Sequence, residues 1–120
     1  MKKTFYLLSL VLLSISMQAQ KTYIPDDNFE QILINLNLDD IFDDSVETSA
    51  IDTVTVLYMA NYNISSLTGI ENFLALRELI CSDNQLVNID LSYNSNLETL
   101  NCRNNLLTSF NVNILSEFET

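Results

Sequence analysis

Apolar residues recur at a fixed period along the second half of the chain. Segment 76–86 reads LRELICSDNQL and segment 97–107 reads LETLNCRNNLL. The matched pairs are Leu76 with Leu97, Leu79 with Leu100, Cys81 with Cys102, Asn84 with Asn105, and Leu86 with Leu107. A repeat of roughly 20–29 residues with this leucine spacing is typical of a solenoid, in which each copy forms one coil of a stack.

An earlier copy of the repeat begins at Val54, which matches Leu76, and it is one residue longer than the copy that follows. It places Leu57 and Met59 on the positions of the later leucine and cysteine. Tyr62 stands where the later copies have asparagine, so the asparagine contact is expected to be absent from this first copy. The pattern therefore predicts about three coils over residues 54–120, with a further coil left incomplete.

These repeats resemble the bacterial leucine-rich repeat family, whose pattern is LxxLxCxxNxLxxLDLSxN. Residues 76–86 carry the first half of that pattern, and IDLSYN at 89–94 carries the second. The segments IPDDNFEQIL (24–33) and SSLTGIENF (65–73) look like secreted Bacteroidetes-type proteins with internalin-like repeats. The resemblance covers residues 23–113, nearly all of the chain that follows the N-terminal apolar segment.

The resemblance implies an α/β repeat solenoid with a short parallel sheet. In each copy the central apolar pair has the alternation of a strand, and both members face the core. The residues beside them then face outward on the concave side: Val56, Tyr58, Ala60, Glu78, Ile80, Ser82, Thr99, Asn101 and Arg103. Asn84 and Asn105 should turn inward and bond to the main chain. Two later triplets should fill the far side of the core: Leu86, Ile89 and Leu91, and Leu107, Phe110 and Val112.

Residues 20–53 are predicted to form an acidic helical cap that covers the open end of the first coil. A helix should run from about Asp27 to Leu36, with Asp26 or Asp27 capping its first turn. Its apolar face would consist of Phe29, Ile32, Leu33 and Leu36, which follow helical spacing. Terminal units of repeat proteins are atypical because they must shield the core from water.

The most acidic segment spans residues 38–52. Its aspartate pairs, Asp39/Asp40 and Asp43/Asp44, could serve as calcium ligands, but the spacing lacks the glycine and the alternation of an EF-hand loop. The alternative is a short turn or helix with Ile41 and Phe42 tucked inward and the acids in solvent. No cofactor or metal site is expected.

Residues 1–19 are predicted to be a signal peptide. Two lysines precede an apolar run, and Ala19 offers a small residue at the cleavage point. Removing it leaves three basic residues against sixteen acidic ones, a net charge of −13. The protein is thus expected to be secreted or on the cell surface, without a stable membrane span and without nucleic acid as a partner.

Catalysis is not expected. The chain has no histidine and a single glycine, Gly69, so it lacks the usual general base and any glycine-rich phosphate loop. The aspartate pairs of the acidic segment could in principle serve glycoside hydrolysis, but they are adjacent within one turn. The two cysteines are either bridged, as exported proteins often have them, or buried as free thiols in leucine positions. The second interpretation is preferred, because inward-pointing neighbours are poorly oriented for a disulfide.

The function predicted is that of a non-catalytic binding module. It would meet a protein or cell-surface component through its concave face, with Tyr58, Glu78, Ile80, Asn101 and Arg103 as candidate contact residues. Phe118 falls on the position of Leu97, so a fourth coil begins and is not completed. The uncapped coil would self-associate, or the chain would be the N-terminal structural part of a longer surface protein whose recognition lies in further repeats.

Overall fold

The structure is a computed structural model that describes residues 19–112. Residues 1–18 of the predicted signal peptide (1–19) lie outside the described residues, as do residues 113–120, which include the incomplete fourth copy that begins at Phe118. The elements are β1 (Lys21–Tyr23), α1 (Asp27–Asn35), β2 (Ser45–Glu47), α2 (Thr48–Ile51), β3 (Val56–Tyr58), a 3-10 helix (Ile70–Asn72), β4 (Glu78–Ile80), β5 (Asn88–Leu91), β6 (Thr99–Asn101) and β7 (Ser109–Val112). Between residues 19 and 112, no helix has the length and apolar character needed to cross a bilayer.

Strands β3, β4 and β6 form one parallel sheet, as the repeat predicts. Leu57 is registered with Leu79, and Leu79 with Leu100, so the strands pair at the positions that the repeat matches in sequence. All three leucines are fully buried. Each copy places its strand beside the strand of the copy before it. Paired residues are therefore one repeat period apart in the sequence.

Strands β5 and β7 form a second parallel pair, which was not predicted as strands. Ile89 and Leu91 point into the same core as the first sheet and are buried, as expected. The pattern predicts burial of Phe110 as well, but this residue is 44% exposed. Strand β7 is the last described strand of this pair, so Phe110 has described neighbours on one side only.

Two asparagine side chains form hydrogen bonds with main-chain N–H and C=O groups in the loops that follow the strands. The Asn84 amide donates to the carbonyls of Met59, Cys81 and Ser82 at 2.7–3.2 Å, and its Oδ1 accepts from the N–H groups of Tyr62 and Ile64. Asn105 repeats the pattern one copy later: it donates to the carbonyls of Cys81, Cys102 and Arg103, and accepts from the N–H of Leu86. The predicted inward orientation of both asparagines is confirmed. Each amide joins its own copy to the preceding one.

The residue preceding each of these positions adopts a left-handed backbone. Asn61, Asp83 and Asn104 occupy the same position in successive copies and have φ of 62°, 57° and 55°. Asn and Asp tolerate this region better than other side chains with a Cβ. The Asn104 amide also donates to Asp83 Oδ1 at 2.8 Å, so the turns of adjacent copies are bonded to each other.

Helix α1 begins and ends close to the predicted positions and packs on the first copy of the repeat. Asp26 is its N-cap: Oδ1 accepts from the N–H groups of Asn28 and Phe29. Asp26 Oδ2 accepts from Ser65 and Ser66 N–H at 2.8 and 3.1 Å, so one carboxylate caps the helix and holds a turn of the first copy. The Phe29 ring stacks on that of Phe73, with centroids 5.9 Å apart.

Three apolar side chains of the N-terminal segment are not where the pattern places them. Leu36 is the C-cap of α1 and is 49% exposed, because the helix ends before its apolar face completes another turn. The predicted inward positions of Ile41 and Phe42 are wrong, since these side chains are 56% and 53% exposed. Residues 39–42 lie in an irregular loop whose turn is set by Asp39 Oδ1, which accepts from the N–H groups of Asp40 and Ile41.

Glu30 is the one buried acidic residue of α1. It is fully buried, and its Oε1 accepts from the N–H groups of Asp43 and Ser45 at 2.9 and 3.1 Å. The carboxylate thus ties α1 to the loop that leads into β2. This role was not predicted, since a glutamate beside an apolar face ordinarily points to solvent.

The antiparallel pairing of β1 with β2 was also not predicted. Lys21, Thr22 and Tyr23 pair antiparallel with Glu47, Val46 and Ser45. The chain after β1 places Ile24 directly against Gly69 of the first copy, where φ is +103°. A Cβ at residue 69 would lie 2.7 Å from the Tyr23 carbonyl oxygen and would overlap the Ile24 side chain.

Both cysteines are free, buried thiols, which confirms their interpretation as core residues. Each follows a strand of the β3–β4–β6 sheet directly, in the place of a core leucine. Burial, with a smaller contribution from neighbouring Cys102, raises the pKa of the Cys81 thiol to about 12. Burial also raises the pKa of Cys102.

We predict that Asn84→Ala lowers the free energy of unfolding of the 20–120 chain by about 2–4 kcal/mol, because it leaves buried main-chain groups without partners. Asn96→Ala is the control, since that exposed side chain donates only to the Leu74 carbonyl. Its effect should stay within about 0.5 kcal/mol. Urea denaturation followed by circular dichroism measures both, and equal losses would contradict the buried network.

We predict that Gly69→Ala destabilises the chain by about 2 kcal/mol or more, through backbone strain and overlap with Ile24. Thr55→Ala, an exposed change in the same copy, should be nearly neutral. The same denaturation experiment tests this. A stability of Gly69→Ala equal to that of the unaltered chain would show that β1 does not pack against residue 69.

Neither thiol should react with a thiol reagent in the native protein at pH 8, since both are buried and their raised pKa values keep them protonated. In denaturant, without any reductant, two thiols per chain should react. Ellman's reagent measures both numbers. A value near zero in the denatured, unreduced chain would show a disulfide.

Candidate functional site

The outward residues of strands β3, β4 and β6 form the candidate site, which we call the outer sheet face. Tyr58, Ile80 and Asn101 are registered partners and make one row across the three strands. Val56, Glu78 and Thr99 make the row beside it. Parallel register brings these side chains together, although a full copy of the repeat separates each from the next along the chain.

Tyr58 and Glu78 are bonded to each other across this face. The Tyr58 hydroxyl donates to Glu78 Oε1 at 3.1 Å, and Tyr58 is 63% exposed. This hydrogen bond and the charge of Glu78 raise the pKa of Tyr58 above its ordinary value, because both favour the protonated phenol. The ring is therefore held in place while most of its surface stays accessible.

Asn101 and Arg103 lie at the other end of the sheet. Asn101 is half-buried, and its Oδ1 accepts from the Arg103 N–H at 3.2 Å. Arg103 is exposed, and its guanidinium pairs with no carboxylate among residues 19–112. By contrast, Arg77, just before β4, is bonded to Glu98 through Nε and Nη2 at 3.1 and 2.5 Å. Arg103 is thus the available cation of this face.

One predicted outward residue is not available for contact. Ser82 is 8% exposed, because it follows β4 where the chain turns toward the Asn84 network. Ala60 at the corresponding point of the first copy is half-buried. Of the five candidate contact residues, Tyr58 and Arg103 are exposed, and Glu78, Ile80 and Asn101 are half-buried.

A shallow cleft of about 400 Å³ adjoins Arg103. It is lined by Cys102, Arg103, Asn104, Asn105, Leu107 and Phe110. Its floor is apolar, and its rim carries amide and guanidinium groups. This cleft was not predicted, because the repeat pattern assigns Leu107 and Phe110 to the core.

The carboxylates of the acidic segment serve local structure. Asp43 Oδ1 accepts from the N–H and hydroxyl of Ser45, and its Oδ2 lies 3.5 Å from Lys21 Nζ. The Ser45 hydroxyl bond is the main cause that lowers the pKa of Asp43. In the described range 19–112, no three acidic or cysteine side chains converge in a way that could hold a metal ion.

Comparisons with known proteins find similar chains among the internalins of Listeria monocytogenes. Internalin J from Listeria monocytogenes is 34% identical over 79 residues, which is 65% of this chain and 8% of the relative. The solved functional domain of InlJ from Listeria monocytogenes, described as including a cysteine ladder, superposes with a TM-score of 0.66 at 34% identity. That match covers 78% of this chain and 22% of the other. No protein-family model matches the chain.

Two more distant structures share the fold. The internalin InlF from Listeria monocytogenes has a TM-score of 0.63 at 22% identity, covering 73% of this chain and 30% of its own. The CBM51-2 and INT domains of ZmpB from Clostridium perfringens reach 0.56 at 18% identity, covering 77% and 20%.

The chain spans less than a third of the length of each of these relatives. Repeat spacing, strand register and the likeness to InlJ nevertheless agree, whereas the narrower Bacteroidetes-type assignment stays a prediction. The chain has a leucine-rich repeat fold, and internalin J of Listeria monocytogenes is its homologue.

Proposed function

We propose that this chain is a non-catalytic protein-interaction module of an exported or surface-exposed protein, and that it binds its partner through the outer sheet face. The observation that carries the proposal is the registered row of Tyr58, Ile80 and Asn101, with Arg103 beside it. Tyrosine and arginine are enriched at protein interfaces and among the residues that contribute most to affinity, and the Arg103 guanidinium has no carboxylate partner among residues 19–112.

The positions that recur in every copy support this assignment of roles. Both cysteines and most of the leucines at these positions are buried, Leu107 being half-buried, and Asn84 and Asn105 are bonded to the main chain. The residues between them differ from copy to copy. Residues 54–120 would then be the recognition region, and residues 20–53 a cap that α1 and Asp26 attach to the first copy.

A second candidate is a structural role at the start of a longer surface protein. It is favoured by the small share of internalin J that the chain covers, 8%. In that case the cap and the first copies would support recognition elsewhere. Self-association through the exposed Leu106 and Phe110 near β7 is a further proposal, which sedimentation velocity of the 20–120 chain tests.

The recognition proposal is tested by surface plasmon resonance of the immobilised 20–120 chain against a panel of purified extracellular protein domains. For a domain that binds saturably, we expect the double variant Tyr58→Ala/Arg103→Glu to weaken binding at least tenfold. Contacts at the centre of an interface contribute most of its affinity, which is the reason for this choice.

The matched control is Tyr62→Ala/Lys21→Glu, which likewise removes a tyrosine ring and reverses one basic charge, outside the β3–β4–β6 strands. It should alter affinity by less than about twofold. A partner that binds both double variants equally well would favour the structural role, as would a panel with no saturable binder. Circular dichroism confirms that each variant is folded.

A further inference from the structure

A second cleft lies beside the β5–β7 pair, away from the outer sheet face. It has a volume of about 320 Å³ and is formed by two segments of adjacent copies, the turn 66–71 and the strand and turn 88–93. Leu67 and Ile70 form its apolar floor. Its walls carry hydroxyl, amide, carboxylate and phenol groups from Ser66, Thr68, Glu71, Asn88, Asp90 and Tyr93.

The cleft has fixed walls. Asn94 is fully buried, and its amide donates to the carbonyls of Ile70 and Phe73 at 2.8 and 3.2 Å, which holds the 3-10 helix against the turn after β5. On one side, Glu71 Oε2 accepts from the Gly69 N–H at 2.8 Å. In the second segment, Asp90 Oδ1 accepts from the N–H and hydroxyl of Ser92 at 3.0 and 2.6 Å.

Each carboxylate therefore uses one oxygen to hold its own turn and has the other free of any hydrogen bond from residues 19–112. Neither has an ion-pair partner in that range, where the two ion pairs are Lys21–Asp43 and Arg77–Glu98. The bonds from Ser92 lower the pKa of Asp90, so it stays ionised in mildly acidic solution. The cleft thus contains two carboxylates that have no ion-pair partner within residues 19–112.

Tyr93 adds an aromatic surface to these charges. It is 69% exposed, the largest exposed fraction among the large hydrophobic side chains of the described chain. Its hydroxyl makes no hydrogen bond with another described residue, so the ring is not held there for an internal contact. A ring face next to carboxylates attracts guanidinium and ammonium groups.

We infer that this cleft binds an arginine or lysine side chain of a basic partner segment. The aliphatic stem would lie over Leu67 and Ile70, while the cationic head would meet Glu71, Asp90 and the Tyr93 ring. Charge complementarity selects this occupant: the whole chain carries a net charge of −11, and the cleft contains no basic side chain. The surface is separate from the outer sheet face and does not depend on it.

The test uses N-acetyl-arginine amide as the probe and N-acetyl-citrulline amide as its neutral analogue. Each is titrated into the ¹⁵N-labelled 20–120 chain and followed by amide chemical shifts. The arginine probe should produce saturable shifts at residues 67–71 and 90–93, with a dissociation constant in the millimolar range. The affinity for the probe should fall severalfold when salt is raised from about 0.05 M to 0.3 M. The citrulline analogue should produce no saturable shifts there.

The double variant Glu71→Gln/Asp90→Asn removes both charges and keeps the acceptor oxygens that hold the turns. It should lower the affinity for the arginine probe about tenfold. Tyr93→Leu should lower that affinity about threefold. The control Asp40→Asn/Asp44→Asn removes the same charge from the acidic segment and should leave affinity within twofold.

Three results would overturn the inference: shifts of equal size at residues 39–44, undiminished binding to Glu71→Gln/Asp90→Asn, or no saturable shift at all. Because Tyr58 and Arg103 are unaltered here, failure at this cleft is distinct from failure of the outer sheet face.

Discussion

The strands of this fold are short, so they leave many main-chain N–H and C=O groups without a partner in a sheet. The structure depends on side chains that form hydrogen bonds with these groups. The strands of the main sheet, such as Glu78–Ile80 and Thr99–Asn101, take up a small part of each copy, so most N–H and C=O groups lie outside the ladders. Buried groups of this kind need partners. Asn84 supplies five such bonds and Asn105 four, each spanning two copies. The apolar core can close only because these amides satisfy the turns around it.

In the N-terminal segment, carboxylates rather than amides accept the hydrogen bonds of main-chain N–H groups. Asp26 accepts two N–H groups of α1 and two of the first copy, and buried Glu30 accepts two from the loop before β2. Since the first copy has Tyr62 in the asparagine position, the turn there is held by Asn84 from the next copy and by Asp26 from the N-terminal segment. The segment 20–53 and the repeats are thereby parts of one core, in which Phe29 packs on Phe73.

The different roles of repeated and non-repeated positions explain which side chains are available for binding. Repeated positions are committed to packing and to main-chain bonds, and their substitution would affect stability first. Non-repeated positions line two surfaces of different character. The outer sheet face presents a tyrosine, an isoleucine, an amide and an arginine that pairs with no carboxylate in the described range 19–112. The cleft at 66–71 and 88–93 presents two carboxylates and a tyrosine. A partner that met both would need complementary chemistry on two sides of the same short stack.

The sequence by itself determined the repeat, the register of β3, β4 and β6, the inward leucines, the buried cysteines and the role of Asn84 and Asn105. These follow from periodicity, because a residue and its equivalent in the next copy meet in neighbouring strands. Helix α1 was also predictable from its cap and its apolar spacing. Only the tertiary structure decided the pairing of β1 with β2, the burial of Glu30, the exposure of Ile41 and Phe42, and the cleft that Glu71 and Asp90 share. None of these contacts joins equivalent positions of the repeat, so no period in the sequence encodes them.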